Sequence, residues 1–316
     1  MRRLGIIVVG CVLLQACAAR ADESGWTYLM EKLVADGVQR ERVVEAFRDP
    51  RVASFSGLEF SPATPHESRT MYRRFLHPAT LAAARRCRAQ YAEAFEAAER
   101  AHGVSADVVA AILFIESGCG RNTGSNVVLY RLARLAMANE PGNVQRSIER
   151  YTDAAGRIDA ETAAQIRTRA RYLEDTFYPE VRALFAVADR MGVEPCSIRG
   201  SGSGAFGAPQ FLPTSYLAYG VDGNGDGRVS LYDTEDAAAS CARYFAGHGW
   251  RPGLSTQERQ AAVWQYNHSA AYVDTVLALA ARIGTAPVSH AKQVAKRKQP
   301  KRHKQHRRAV QTASQN

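Results

Sequence analysis

Nowhere in its 316 residues does the chain hold the about 20 consecutive apolar residues that a membrane-spanning helix needs. An integral membrane protein is therefore not expected. No C-x-x-C pair occurs, which argues against a zinc ribbon or a thioredoxin-like site. No alternation of strand and helix patterns appears, so a doubly wound parallel sheet is not expected either. Acids are missing from residues 290–316, where nine basic residues cluster, among them Lys296, Arg297 and Lys298. Removing those nine from the chain's 41 leaves 32 against 31 acids, a balance of +1 in place of +10. A globally basic, nucleic-acid-binding surface is thus not indicated. What remains is a near-neutral body with a globular composition, 46% apolar and 23% charged. Its length allows one large core or two linked ones.

The N-terminus has the features of an export signal, assigned to residues 1–16. Arg2 and Arg3 precede an apolar run from Leu4 to Leu14, followed by Gln15-Ala16-Cys17. Leu-x-Ala-Cys resembles the lipobox of bacterial lipoproteins, in which the cysteine is lipidated and becomes the first residue. Cys17 is the expected lipidation site, and residues 17–25 the linker behind it. The alternative is an ordinary cut near Ala19 or Ala21 and a soluble periplasmic protein. Several acyl chains would hold firmly, since each buried CH₂ contributes about 0.8 kcal/mol. In a two-membrane bacterium, Ala18 rather than Asp after the cysteine favours the periplasmic face of the outer membrane. Four cysteines follow: Cys87, Cys119, Cys196 and Cys241. Disulfides persist in an oxidising compartment, and four cysteines allow three connectivities.

Three- and four-residue spacing of apolar positions marks helices through most of the chain. Residues 26–104 read as a helical N-terminal region, with 79–102 as one long helix. Residues 105–288 read as a second, core region. Ser105 is placed to cap a helix over Ala106–Ser117, which is apolar nearly all round and so belongs inside a core. Residues 127–138 and 160–191 are helical again, with Pro179 expected to bend or break the second. Helical pattern returns over about 236–247 and 256–283. Between them, residues 199–233 are rich in Gly, Ser, Asn and Asp and read as irregular or β. The tail, 289–316, reads as low-complexity and disordered.

Glu116 is the strongest single candidate for chemistry. It ends an apolar helix just before Gly118, where burial and the negative end of the helix dipole both favour the protonated carboxyl. A carboxylic acid still protonated near neutrality can act as a general acid. On this helix alone, a glutamate in an exposed last turn is an equally good reading. No second acid stands out near Glu116 in the sequence.

Three further segments change that balance. They are Gly204-Ala-Phe-Gly-Ala-Pro-Gln210-Phe-Leu-Pro-Thr-Ser-Tyr216, Asp222-Gly-Asn-Gly-Asp-Gly-Arg-Val-Ser-Leu-Tyr-Asp233, and Tyr266-Asn-His-Ser-Ala-Ala-Tyr272. With Glu116-Ser117 they resemble, in order and spacing, the B-type lytic murein transglycosylases, bacterial envelope enzymes with a lysozyme-like core. The resemblance runs from about Trp26 to Ile283. It implies Glu116 as the catalytic acid and Ser201, Gln210, Tyr244, Tyr266, Asn267 and Tyr272 as substrate contacts. Two positions depart from the family pattern. Cys119 stands where a Trp is common, and Pro141-Gly142 replaces an Arg pair that faces substrate in relatives.

The 222–233 segment also has its own reading. Oxygen ligands at loop positions 1, 3 and 5 are Asp222, Asn224 and Asp226, and Gly227 stands where an EF-hand loop turns sharply. Arg228 would offer its carbonyl. Asp233 closes the loop, or, as the resemblance implies, Asp236 does. Ca²⁺ is the expected ion, and no organic cofactor is expected. A plain Gly-Asn-Gly-Asp turn is the alternative.

Two other patterns carry little. Gly202-x-Gly204-x-x-Gly207 matches a dinucleotide fingerprint without the strand that should precede it. His66-Glu67 starts a zinc-protease motif that lacks its second histidine, position 70 being Thr.

The expected fold is thus mainly α, a lysozyme-like catalytic core with a helical N-terminal region and a small irregular or β segment carrying the EF-hand-like loop. The resemblance implies cleavage of the β-1,4 bond between N-acetylmuramic acid and N-acetylglucosamine in peptidoglycan, leaving 1,6-anhydro ends. A hydrolytic muramidase or a non-catalytic peptidoglycan-binding lipoprotein are the alternatives. Expected partners are glycan strands and, through the anchor, a membrane; the chain is expected to be a monomer that binds no nucleic acid.

Overall fold

A computed structural model of the chain describes residues 24–63 and 67–284. The export segment, Cys17, His66 and the basic tail lie outside the described residues. Thirteen α-helices are found among the described residues, with one two-stranded sheet. The N-terminal part has α1 (Thr27–Ala35), α2 (Arg40–Arg48) and the single turn α3 (Arg69–Tyr72), which runs into a 3₁₀ turn, Arg73–Leu76. Next come α4 (Pro78–Gln90), α5 (Ala92–His102) and α6 (Ala106–Ser117). Then follow α7 (Val128–Ala136), α8 (Pro141–Arg150), α9 (Ala160–Met191) and α10 (Pro213–Tyr219). The chain continues with α11 (Thr234–Gly247), α12 (Thr256–Tyr266) and α13 (Ala270–Gly284).

Helix α6 is the axis of the core, with every residue from Val108 to Phe114 buried. Helices α4, α5, α11 and α13 pack around it, which is why it carries no polar face. Its first turn is not capped as expected. The Ser105 side chain makes no capping bond, and the Ala106 N–H donates to the Glu99 carboxylate of α5 at 3.1 Å. The wrapping also explains why 79–102 is two helices rather than one. A straight helix of that length would run about 36 Å, twice the about 18 Å of α6. The break at Tyr91 lets α4 bury Ala84 and Cys87 and α5 bury Phe95 and Ala98 on the same axis.

Residues 256–283 also divide, at Asn267, whose backbone is extended between α12 and α13. By contrast, α9 stays one helix through Pro179. An interior proline costs about 3 kcal/mol. Burial of Leu173 and Tyr178 before it and of Val181, Leu184 and Phe185 after it opposes that cost. Asp159 caps its start, accepting from the Glu161 and Thr162 amides. Pro141-Gly142 opens a helix that periodicity did not reveal, with Pro141 at the first position and the Glu140 carboxylate accepting from the Asn143 amide.

The 199–233 segment is irregular as expected except for the seven-residue helix α10, which the sequence reading did not include. Strand β1 (Asn126–Val127) pairs antiparallel with β2 (Arg199–Gly200), and single bridges link Gly200 to Phe206 and Phe206 to Phe211. Gly207 has φ +73°, and a Cβ there would stand 2.3 Å from the Leu231 Cβ, so this turn needs a glycine. No helix among the described residues is long and apolar enough to cross a membrane.

Candidate active site

The end of α6 is fastened on three sides. Gly118 takes the left-handed cap conformation with φ +62°. The buried Ser117 Oγ donates to the Ala208 carbonyl at 2.7 Å and accepts from the Gly120 amide at 2.8 Å. Cys119, also left-handed at φ +61°, is bonded to Cys87 of α4. The disulfide therefore joins the residue three after Glu116 to a helix packed on α6. The Cys87–Cys119 bond is the one disulfide among the described residues, and Cys196 and Cys241 are buried free thiols.

Glu116 is half-buried as a residue, with its carboxyl among aromatic rings. The Tyr272 hydroxyl of α13 donates to its Oε1 at 2.5 Å. Burial pushes the Glu116 carboxyl up to about 7; the Tyr272 bond opposes this, and the negative charge of Glu67 adds to it. Burial of the carboxyl, expected from the apolar helix, is the dominant cause.

Tyr272 and Tyr266 lie parallel, with ring centroids 6.3 Å apart, and Tyr266 stacks on Phe245 at 5.4 Å. The Tyr266 hydroxyl donates to the Pro209 carbonyl. Ser117 and Tyr266 thus hold the same short loop, 207–211, from two sides. Gln210 stands in that loop at φ +53°, a conformation that disfavours a side chain. Its Nε2 donates to the carbonyls of Thr123, at 3.1 Å, and Gly207, at 2.9 Å. Glu180, buried on α9, binds Thr214 through both its amide and its hydroxyl, fixing the start of α10 just beyond.

Of the six expected substrate contacts, Gln210, Tyr266, Asn267 and Tyr272 join Glu116 through this network. Ser201 makes its bonds within its own turn, to Ala205 and Gly204. Tyr244 lies a layer behind. It is 9% exposed, its hydroxyl donates to the Gln265 carbonyl, and its ring meets Tyr266 edge-on at 5.0 Å.

Two neighbours of the acid were not singled out for this site. The Tyr72 ring meets Tyr272 edge-on at 5.7 Å, and its hydroxyl donates to Glu67 Oε2 at 2.6 Å. The Asn267 amide also reaches Glu67 Oε2, at 3.5 Å. A second carboxylate therefore does stand near Glu116, contrary to the expectation. It lies 49 positions earlier in the chain, beyond the reach of any local pattern.

In the acidic loop, the Asp222 carboxylate accepts from the amides of Gly225, Asp226 and Gly227. Asn224 accepts from Asp226, and Asp226 from Arg228. Asp236, 1% exposed, accepts from Gly223, Asn224 and Ser230. Asp233 is exposed at the cap position of α11 and makes no side-chain capping bond. The oxygen donors suit a hard cation such as Ca²⁺. Asp236 rather than Asp233 faces the loop. Among the described residues, however, no three His, Cys, Asp or Glu side chains already converge as a metal cluster.

Residues 21–261 match the transglycosylase SLT domain family, and the chain belongs to it. It is 32% identical over 164 residues to membrane-bound lytic murein transglycosylase B of Escherichia coli (strain K12). That stretch covers 52% of this chain and 37% of the relative, so the match spans little more than a third of that protein's length. The fold is similar to that of soluble lytic transglycosylase SltB1 from Pseudomonas aeruginosa, with a TM-score of 0.62 and 23% identity over 82% of this chain and 98% of that one. It is also similar to E. coli Slt35 in complex with calcium, with a TM-score of 0.59 and 21% identity over 82% and 92% of the two chains. These likenesses establish the mainly α, lysozyme-like fold. The family expected from the four motifs is the family found.

Proposed function

We propose that this chain is a peptidoglycan lytic transglycosylase. It cleaves the β-1,4 bond between N-acetylmuramic acid and N-acetylglucosamine and leaves a 1,6-anhydro sugar. The observation that carries the reading is Glu116: a carboxyl held protonated near neutrality by burial, bonded to one tyrosine, at the end of a pinned core helix. Protonated Glu116 gives its proton to the glycosidic oxygen as the C1–O bond breaks. The resulting carboxylate then takes the proton of the muramic acid 6-hydroxyl, whose oxygen bonds to C1. Glu116 ends protonated, and no water is consumed.

Ser201, Gln210, Tyr266, Asn267 and Tyr272 would contact the sugars, with Tyr244 supporting Tyr266 from behind. Residues 105–288 would make up the catalytic core and 26–104 a helical region before it. Asp222, Asn224, Asp226, the Arg228 carbonyl and Asp236 would hold Ca²⁺, with Asp233 as the other closing acid. Bound there, the ion would supply charge and rigidity to a loop remote from the acid. Cys17 would carry the lipid and place the protein on the periplasmic face of the outer membrane. The name of the E. coli relative, membrane-bound and acting on murein, supports the substrate and the location.

Hydrolysis is the second reading, and Glu67 is the observation that favours it, because most glycosidases use two carboxylates. The Glu67 oxygen is engaged by Tyr72 and Asn267, which favours the first reading. Glu116→Gln tests the assignment. The amide keeps the shape but cannot exchange the proton, so cleavage of purified sacculi should fall by at least about 10²–10⁴-fold. Activity within about tenfold of the unaltered protein would remove Glu116 from the mechanism.

A further inference from the structure

We propose that Glu67 is a positioning residue of this site, acting on Tyr72 and Asn267 by hydrogen bonds and on Glu116 by charge. The inference rests on the reading of Glu116 as the acid and adds a residue to it.

The geometry is a chain of four side chains from three parts of the sequence. Glu67 Oε2 accepts from the Tyr72 hydroxyl at 2.6 Å. The Tyr72 ring stands edge-on to Tyr272 at 5.7 Å, and the Tyr272 hydroxyl donates to Glu116 at 2.5 Å. Two carboxyls therefore terminate one tyrosine pair, each held by a phenol. Asn267, in the extended link between α12 and α13, reaches the same Glu67 oxygen at 3.5 Å. Glu67 thus ties α3 to the turn that presents Tyr266 and Asn267.

Charge follows from the same placement. In surroundings this apolar, two nearby carboxylates oppose each other's ionisation. Glu67 accepts from two donors on one oxygen, whereas Glu116 has one donor and is pushed toward its protonated form chiefly by burial, with the negative charge of Glu67 adding to it. Tyr272, Tyr266, Tyr72 and the Cys241 thiol of α11 are the other titratable groups that interact with Glu116. Arg121 lies against Gly118, and the exposed Arg69–Asp274 pair joins α3 to α13. Among the described residues, Glu67 is the carboxylate whose charge acts on Glu116. His66-Glu67, an incomplete zinc motif by its spacing, thereby has a use for its acid.

The test is Glu67→Gln, which can still accept from Tyr72 but has no charge. Two quantities are followed on the full protein: the pH dependence of kcat/KM on soluble glycan fragments, and the titration of Glu116 by carboxyl-resolved carbon NMR. The expected result is that the alkaline limb and the Glu116 midpoint both move to lower pH, by about half a pH unit or more. Glu67→Asp, which keeps the charge, should leave the midpoint near its original place even if the shorter side chain loses Tyr72 and turnover falls. An unchanged Glu116 midpoint in Glu67→Gln overturns the proposal whatever happens to turnover. The titration needs no substrate, so it remains decisive even if the protein cleaves no glycan.

Discussion

The two acidic regions of this molecule solve the problem of a buried carboxylate in opposite ways. Asp236 is almost wholly buried, yet three backbone amides point at its oxygens. Glu116 receives a single phenol and a second carboxylate as neighbour. Burial pushes both groups upward, but at Asp236 every amide works against it. On the proposed reading, the first region would offer oxygen ligands to a cation and the second would hold a proton for transfer. Loop 222–236 achieves its arrangement with neighbours in sequence, whereas the Glu116 site draws on segments more than 150 positions apart.

The sharpest way to test the difference is to remove the single donor at Glu116. Tyr272→Phe deletes the one bond that favours the Glu116 anion. The alkaline limb of activity should move to higher pH, opposite to the shift expected for Glu67→Gln. Turnover should fall about 10- to 150-fold, because a hydrogen bond to a charged group contributes about 1.5–3 kcal/mol. A limb that stays in place would mean that Tyr272 only fills space.

The loop should respond to metal where the active site does not. Ca²⁺ at about 100 times its Kd would stabilise the folded state by about 2.7 kcal/mol, a rise of several degrees in Tm. Asp222→Ala with Asp226→Ala should erase that rise and leave the Glu116 titration untouched. No rise in the unaltered protein at millimolar Ca²⁺ would reduce the loop to a turn.

A smaller effect concerns stability. The Glu116 carboxyl lies near 7 in the fold and at about 4.5 when exposed, so the folded state binds more protons between those values. That stabilisation is full below about pH 4.5 and is lost as pH rises through 7. Glu116→Gln should therefore raise Tm by a few degrees at pH 8 and change it little at pH 4, as thermal melts would show. An equal effect at both pH values would contradict the buried acid.

The same contrast explains what could be read in advance. The acidic turn of 222–226 is legible because an EF-hand-like pattern is local, whereas the amides that face Asp236 come only with the fold. Glu116 was legible because Val108 to Phe114 are apolar on every face of their helix, which makes the end of that helix an interior position. Helix breaks at Tyr91 and Asn267 were not legible. The first arises from wrapping around α6, and the second separates α12 from α13, which packs on α6; both are tertiary demands that periodicity does not carry. The Cys87–Cys119 pairing spans 32 residues, and the Glu67–Tyr72 pair reaches the site only because Tyr72 meets Tyr272, so no local spacing encodes either. Pro141-Gly142 replaces the Arg pair of the family pattern, and a proline at the first position with Glu140 before it is also a helix start.

Water labelled with oxygen-18 gives the most direct test of the central claim that one acid serves both proton transfers and the 6-hydroxyl attacks. Sacculi digested in labelled water and examined by mass spectrometry should yield muropeptides lighter by one water, with no label at the newly formed ends and none produced by Glu116→Gln. Labelled reducing ends formed by the unaltered protein would contradict the account and make the enzyme a hydrolase with Glu67 as its second carboxylate.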